Sequence, residues 1–318
     1  MKEIRTEDAV GHILCHDITQ IIKDVKKGVL FKKGHIVREE DIPLLLSVGK
    51  EHLYVWEKKE GILHENEGAE ILYQICAGDS DTMHGFDIKE GKIELIADCD
   101  GVLKIRRDAL LAVNSLGEMM IASRHGDFPV KKGDKIAGTR IIPLVIEKSK
   151  MDKAEKVAGT KPIFSILPYR SKKVGIITTG SEVQKGLIKD TFTPVLKEKL
   201  DEFSCQILGQ TLPGDERSQI TSDILSFIDQ GADMVICSGG MSVDPDDRTP
   251  GAIKDTGAEV VTYGAPVLPG AMLLLSYYQN NDKIIPILGL PGCVMYAERT
   301  IFDLILPRLM AEDPVTPE

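Results

Sequence analysis

Glycines, hydroxyls and carboxylates gather in four short segments, each placed directly after an apolar run. The first is Thr178-Thr179-Gly180-Ser181-Glu182, and the second is Leu212-Pro213-Gly214-Asp215-Glu216. The third is the longest: Ser238-Gly239-Gly240-Met241-Ser242-Val243-Asp244, continuing through Asp246 and Asp247 to Thr249-Pro250. The fourth is a pair of Pro-Gly turns, Pro269-Gly270 and Pro291-Gly292. Adjacent glycines let backbone N–H groups approach an anion closely, as a phosphate requires. Carboxylates such as Asp244, Asp246 and Asp247 suit Mg²⁺, or the hydroxyl and amine groups of a ligand. Together these chemistries fit a phosphorylated small molecule, with or without a metal. Taken singly, each segment also reads as a turn with solvated carboxylates, and Asp215 as the N-cap of a following helix.

What must position these segments is a regular alternation of strands and helices from Lys172 onward. Strands are expected over 173–178, 206–211, 234–238, 259–263, 271–278 and 283–288. Helices are expected over 191–203, 216–230, 250–256 and 294–310. Such spacing calls for crossovers and a three-layer α/β fold with a mainly parallel sheet. The runs Val174–Thr178 and Met234–Ser238 are apolar nearly throughout, as strands covered on both faces are. Ligands of such sheets bind at the carboxyl ends of the strands, where all four segments fall.

The first half is harder to read. Residues 1–60 suggest strands, a hairpin turning at Lys32-Lys33-Gly34, a helix over 39–48 complicated by Pro43, and a strand over 52–56. Residues 65–147 suggest an α+β arrangement: a helix over 65–77, then strands over 92–97, 102–105, 119–123 and 135–146. No catalytic signature stands out there. The expected organisation is an α+β or β-rich N-terminal region (1–147), a linker (148–171) and an α/β domain (172–318).

Composition excludes several classes. The 318 residues are 42% hydrophobic and 28% charged, the balance of an ordinary globular chain. Net charge is −5 over residues 1–147, +6 over 148–173 and −11 over 174–318. An acidic surface repels a phosphate backbone, so no nucleic-acid partner is expected. No apolar run reaches a membrane-spanning length and the first dozen residues lack a signal-peptide core, so a cytoplasmic protein without a membrane partner is expected. Six scattered cysteines without a CxxC read as reduced thiols. His12 and His16 sit on strand-like sequence, where residues four apart lie about 13 Å from each other, too far to chelate one ion. Gly175 and Gly180 have P-loop spacing, but Ser181-Glu182 stand where Lys-Ser/Thr is required, and no GxGxxG is present.

With these segments in view, the second half resembles the molybdopterin-binding domain family. That domain is shared by molybdopterin molybdotransferase (MoeA type), molybdopterin adenylyltransferase (Mog type) and gephyrin. Thr179–Glu182 is similar to the family's TGDE loop, and Ser238–Val243 to the SGGVSV of the molybdotransferases. Asp247-Arg248-Thr249-Pro250 resembles the D-V-T-P of the adenylyltransferases, Gly289–Gly292 the GLPG turn, and Pro307-Arg308-Leu309 the closing helix. The likeness covers residues 172–311; over Ala9–Trp56 it is loose. It implies a site for molybdopterin, a pterin carrying a dithiolene and a phosphate, in a homo-oligomer. By matching position, Glu182, Asp215 and Asp247 become the functional carboxylates. Thr179, Gly180, Ser181, Ser238, Gly239, Gly240, Ser242, Pro269, Gly270, Pro291 and Gly292 become the ligand-binding residues, and Asp244 with Asp247 a possible Mg²⁺ pair. Departures are also present: Cys293 replaces the Asn of LPGN, Ala271-Met272 replaces the Lys-Pro of PGKP, and His84 takes the Asp place of the acidic N-terminal motif. The resemblance therefore implies a molybdopterin-binding protein of cofactor synthesis with altered motifs. A full molybdotransferase handling molybdate and a CinA-like hydrolase of a phosphorylated nucleotide stand as alternatives.

Overall fold

The computed structural model describes residues 2–22, 26–55, 60–242, 244 and 247–317; Trp56, Val243 and Asp246, named above, lie outside them. The chain divides into two units. One comprises residues 1–99, 105–125 and 132–165, and the other residues 100–104, 126–131 and 166–318.

In the first unit Lys2–Arg5 pairs with His52–Val55, and Ile18–Ile22 with Lys26–Phe31, both antiparallel. The expected helix starts as a 3₁₀ turn at Glu39–Asp41 and continues as Ile42–Ser47. This places Pro43 in the first α-helical turn, where its missing N–H has no intrahelical acceptor to lose. A four-stranded antiparallel sheet follows, in the order Met83–Gly85, Lys92–Ala97, Lys135–Ile141, Met119–Ser123. The stretch expected as a linker is instead structured, with helix Lys148–Ala158 in this unit and strand Phe164–Pro168 at the passage to the second. Met151, Ala154 and Ala158 recur at helical spacing and are buried. Gly159, at φ +76°, ends that helix.

The second unit is built on a six-stranded sheet. Its strands are β1 (Lys173–Thr178), β2 (Gln206–Thr211), β3 (Met234–Ser238), β4 (Glu259–Tyr263), β5 (Leu274–Asn280) and β6 (Lys283–Leu290). Its helices are α1 (Ser181–Gln184), α2 (Phe192–Asp201), α3 (Arg217–Asp229), α4 (Thr249–Asp255) and α5 (Ile301–Met310). The strand order is β2-β1-β3-β6-β5-β4. The pairings β2–β1, β1–β3 and β3–β6 are parallel, while β6–β5 and β5–β4 are antiparallel. The α/β expectation is met by a mixed, parallel-rich sheet.

Alternating side chains sort into two buried layers. Val174, Ile176, Met234 and Ile236 pack with Leu196 and Leu200 of α2 and with Phe302 and Leu306 of α5. Ile177, Val235 and Cys237 face the other way, toward Ile220 and Ile224 of α3 and Ala252 and Ile253 of α4. The sheet is thus covered on both faces, which is why β3 is buried at every position. Cys237 is fully buried among apolar neighbours, and burial pushes its thiol up, so it stays protonated.

In the second unit two elements start three or more residues later than expected. Helix α5 begins at Ile301 rather than Val294, because Thr300 caps it. The Thr300 hydroxyl accepts the Phe302 N–H, and Asp303 accepts the Thr300 N–H at 2.7 Å. Only a 3₁₀ turn, Gly292–Met295, precedes it. Strand β5 starts at Leu274 rather than Ala271, after a turn in which Gly270 packs directly on Ile301.

Close approach of α3 to the sheet rests on glycine. A Cβ built on Gly175 of β1 would lie 2.4 Å from Cγ of Phe227. Gly175→Ala should therefore destabilise the protein by about 1–3 kcal/mol, read from chemical denaturation, and Phe227→Leu in the same chain should restore part of the loss. A Gly175→Ala protein as stable as the parent would show that α3 does not need this approach.

Candidate functional site

Because β1, β2, β3 and β6 run in one direction, the loops following them emerge at one edge of the sheet. Strand β4 is antiparallel to β5, itself antiparallel to β6, so the 264–273 turn reaches the same edge. The chain leaves β1 toward β2 on one side and leaves β3 toward β4 on the other. This reversal of strand order creates a crevice between β1 and β3.

A cleft of about 280 Å³ lies at that edge, close to the lower end of ordinary small-ligand sites, which run from about 300 Å³ upward. Gly239, Gly240, Ser242, Asp247, Pro291 and Gly292 line it together with three apolar side chains, Phe192, Met241 and Met272. A larger cavity of about 690 Å³ lies among Lys172, Asp233 and Lys283, at the amino ends of β1, β3 and β6. Its lysines are committed to ion pairs, Lys283 with Asp233 at 2.5 Å and Lys172 with Glu312 at 3.3 Å. Size alone therefore does not identify the site; the carboxyl edge is where the glycine, hydroxyl and carboxylate segments converge.

The glycine loop is held by hydroxyls. Thr249 Oγ1 donates to the Gly239 carbonyl at 2.9 Å and lies 3.2 Å from Thr179 Oγ1, which in turn donates to the Ser238 carbonyl at 3.2 Å. Gly239 and Gly240 take φ of +89° and +57°, the left-handed region that glycine tolerates. A Cβ on Gly239 would sit 2.8 Å from the Thr179 carbonyl oxygen, and one on Gly240 2.8 Å from Thr249 Oγ1. Both glycines are thus required by the loop itself, and a bulky residue at Gly240 would disturb the loop before it met a ligand.

Two carboxylates do different work from helix capping. Helices α3 and α4 follow Asp215 and Asp247, but their N-caps are Glu216 and Arg248, neither with a side-chain capping bond. Asp215 Oδ2 instead accepts both the backbone N–H and the hydroxyl of Ser181, at 2.8 and 2.6 Å, tying the β2 loop to the β1 loop. Asp247 Oδ2 accepts the Ser242 N–H at 2.8 Å, closing the glycine loop on itself, while its own N–H donates to the Asp244 carbonyl. From β4, the Tyr263 hydroxyl donates to the carbonyls of Met241 and Ser242 at 3.1 and 3.3 Å. Burial, and then the Asp247 charge, push this phenol up, so it remains a donor at neutral pH.

The remaining expected residues are placed nearby but do not line the cleft. Thr179 and Ser238 are buried in the strand-end hydroxyl network. Gly180 leads into α1 at φ +124°, and Glu182 is exposed on that helix. Pro269 accepts the Ile301 N–H through its carbonyl, with Gly270 packed against the same residue. Asp244 is exposed. Phe192, Met241 and Tyr263 were not singled out from the sequence as site residues. Tyr263 ends β4, so the strand-end rule could have flagged it; an apolar residue such as Phe192 carries no such signal.

Residues 175–311 match the model of a probable molybdopterin binding domain, and residues 3–57 that of a domain of unknown function (DUF8806). Residues 175–311 form a domain of the molybdopterin-binding family. Relatives of this domain include the molybdopterin molybdenumtransferases of Synechococcus elongatus, 26% identical over 182 residues, and of Haemophilus influenzae, 27% over 187. Those matches cover 55% and 56% of this chain but 42% and 43% of the relatives. A CinA-like protein of Mycolicibacterium gilvum is 37% identical over 79 residues, covering 25% of this chain and 19% of its own. The chain thus spans less than half the length of these relatives. Among the described residues, no helix is long and apolar enough to cross a membrane.

The Ser181–Asp215 bonds predict that Asp215→Ala frees the Ser181 amide. Hydrogen exchange at that amide should accelerate by about tenfold, the equivalent of about 1.4 kcal/mol. Unchanged protection would mean that the two loops are held by other contacts.

Proposed function

We propose that the carboxyl-edge cleft binds molybdopterin, or a close phosphorylated relative, as a step of molybdenum cofactor synthesis. The observation that carries this reading is the composition of one cleft. Side-chain-free backbone at Gly239-Gly240 and Gly292 lies beside the hydroxyl of Ser242 and the carboxylate of Asp247. Opposite chemistry is supplied by Phe192, Met241 and Met272. A phosphate tail needs the first kind of surface, and a flat heterocycle with sulfur substituents needs the second.

In this reading Gly239, Gly240 and Ser242 hold the phosphate, while the apolar wall takes the ring. Asp247, with its carboxylate at the cleft, orients polar groups of the pterin. A Mg²⁺ ion would be held through hard oxygen donors, with Asp247 at the cleft and Asp244, exposed on the same loop, as candidate ligands. Among the described residues no group of three metal-ligating side chains occurs. Substrate phosphate and water would therefore complete the shell, as Mg²⁺ commonly requires. Such an ion would neutralise phosphate charge. Asp215 and Ser181 keep the neighbouring loop in register and do not act on the ligand directly. Insertion of molybdate would need anion contacts that Ala271-Met272 and Cys293 do not offer in place of Lys and Asn. The match to a CinA-like protein supports a second reading, in which the same cleft hydrolyses a phosphorylated nucleotide. Release of inorganic phosphate from a nucleotide, with no affinity for molybdopterin, would favour it.

Asp247→Asn separates function from folding. An amide oxygen can still accept the Ser242 N–H, so thermal stability should be nearly unchanged. Loss of the charge should weaken molybdopterin or Mg²⁺ binding by about tenfold or more, roughly 1.4 kcal/mol. Titration calorimetry giving the parental affinity would remove Asp247 from the site.

A further inference from the structure

The first unit holds a second cluster of reactive groups that the reading above leaves unused. Lys33, in the turn after Lys26–Phe31, places Nζ 2.6 Å from Nδ1 of His64. His64 is 3% exposed and stands at the N-cap of helix Glu65–Ala77. Its Nε2 lies 2.9 Å from the Cys15 carbonyl oxygen, which can only accept, so the ring proton sits on Nε2. Nδ1 is therefore the accepting nitrogen: it takes the Asn66 backbone N–H at 3.1 Å, capping the helix, and also faces the lysine. The Glu67 carboxylate fixes the His64 backbone by accepting its N–H at 2.8 Å. An amine, a base in hydrogen-bond reach and a third group orienting that base make the arrangement of an activated nucleophile.

The cluster opens on a pocket of about 240 Å³ walled by Ile13, Leu14, Cys15 and Gly34, with Lys33, His64 and Glu67 at its polar side. Desolvation of the ammonium end at the pocket lowers the Lys33 pKa although the residue as a whole is exposed, outweighing Glu65, Glu67, Cys15 and Asp17, which all favour its charged form. Burial first, then Lys33 and His16, lower that of His64, outweighing the Cys15 carbonyl and Glu67; this leaves the ring neutral and able to accept. The Cys15 thiol is pushed up by burial and is not the nucleophile.

We propose that Lys33 is a covalent docking residue for a small aldehyde or ketone, with His64 as its base. His64 Nδ1 takes the ammonium proton and frees the nitrogen lone pair. That pair attacks the carbonyl carbon, the C–N bond forms as the C=O π bond breaks, and a nitrogen proton passes to the oxygen to give a carbinolamine. The His64 imidazolium then returns its proton to the hydroxyl, water departs and the protonated imine remains, with no change of oxidation state. The apolar walls and the volume admit a chain of a few carbons and exclude a large ring system.

Treatment of the full-length chain with propanal and cyanoborohydride, followed by peptide mass spectrometry, tests this. The adduct should form at Lys33 at least tenfold faster than at the average of the other lysines at pH 7. Its rate should rise with pH through a midpoint below that of an ordinary lysine. His64→Gln should slow labelling at Lys33 without altering the other lysines. Lys33→Arg, at an exposed turn position, should abolish the fast adduct while the protein stays folded. Labelling spread over lysines in proportion to exposure, or a Lys33 rate indifferent to His64→Gln, would overturn the assignment.

Discussion

The hydroxyl of Thr179 occupies the junction on which the site depends. It bonds the Ser238 carbonyl at the end of β3 and meets the Thr249 hydroxyl at the start of α4, while Thr249 reaches back to Gly239. Through these bonds the ends of two neighbouring strands and the first turn of a helix are fixed to one another. The glycine loop must thread the space that remains, and only residues without Cβ fit there in left-handed conformation. Buried hydroxyls of this kind are costly to leave unpaired, by about 1–3 kcal/mol each, so the network holds as a whole or not at all. The cleft is a consequence of that constraint: backbone is exposed at Gly239-Gly240 because side chains are excluded from the packed side.

The sheet supplies the frame for this junction. Parallel neighbours β2, β1, β3 and β6 bring four separate loops to one edge, and the reversal between β1 and β3 parts them into a crevice. Apolar burial on both faces keeps the strands in register. Polar bonds at their ends, Asp215 with Ser181, Asp247 with Ser242 and Tyr263 with the carbonyls beside it, set loop positions that burial cannot. This division of labour suits a binding site: an apolar core beneath and directional polar contacts above.

Much of this second unit was legible before the structure. The strands of continuous apolar residues reveal themselves by composition, and the glycine and hydroxyl segments by type. What the sequence concealed is instructive. Asp215 and Asp247 precede helices and so look like caps, yet each bonds a residue of a loop, Asp215 across 34 positions. Propensity is local, and such pairings are not. Met151, Ala154 and Ala158 lie in a lysine-rich stretch whose charge reads as a connection, although their spacing buries one helical face. Apolar periodicity runs on through Val294 and Ala297 and so suggests an earlier start for α5, whereas the capping pair Thr300–Asp303 decides the boundary. The first unit was harder throughout, since its short antiparallel strands leave weak alternation and its pairings join distant segments.

The central claim is that one cleft, at the carboxyl edge of β1 and β3, takes the ligand. Amide chemical-shift mapping on addition of molybdopterin tests it most directly, because it reports position without any substitution. The account predicts saturable shifts at Gly239, Gly240, Ser242 and Gly292, with smaller changes at Phe192 and Met272. Shifts confined to other residues, or none at saturating ligand, would contradict it.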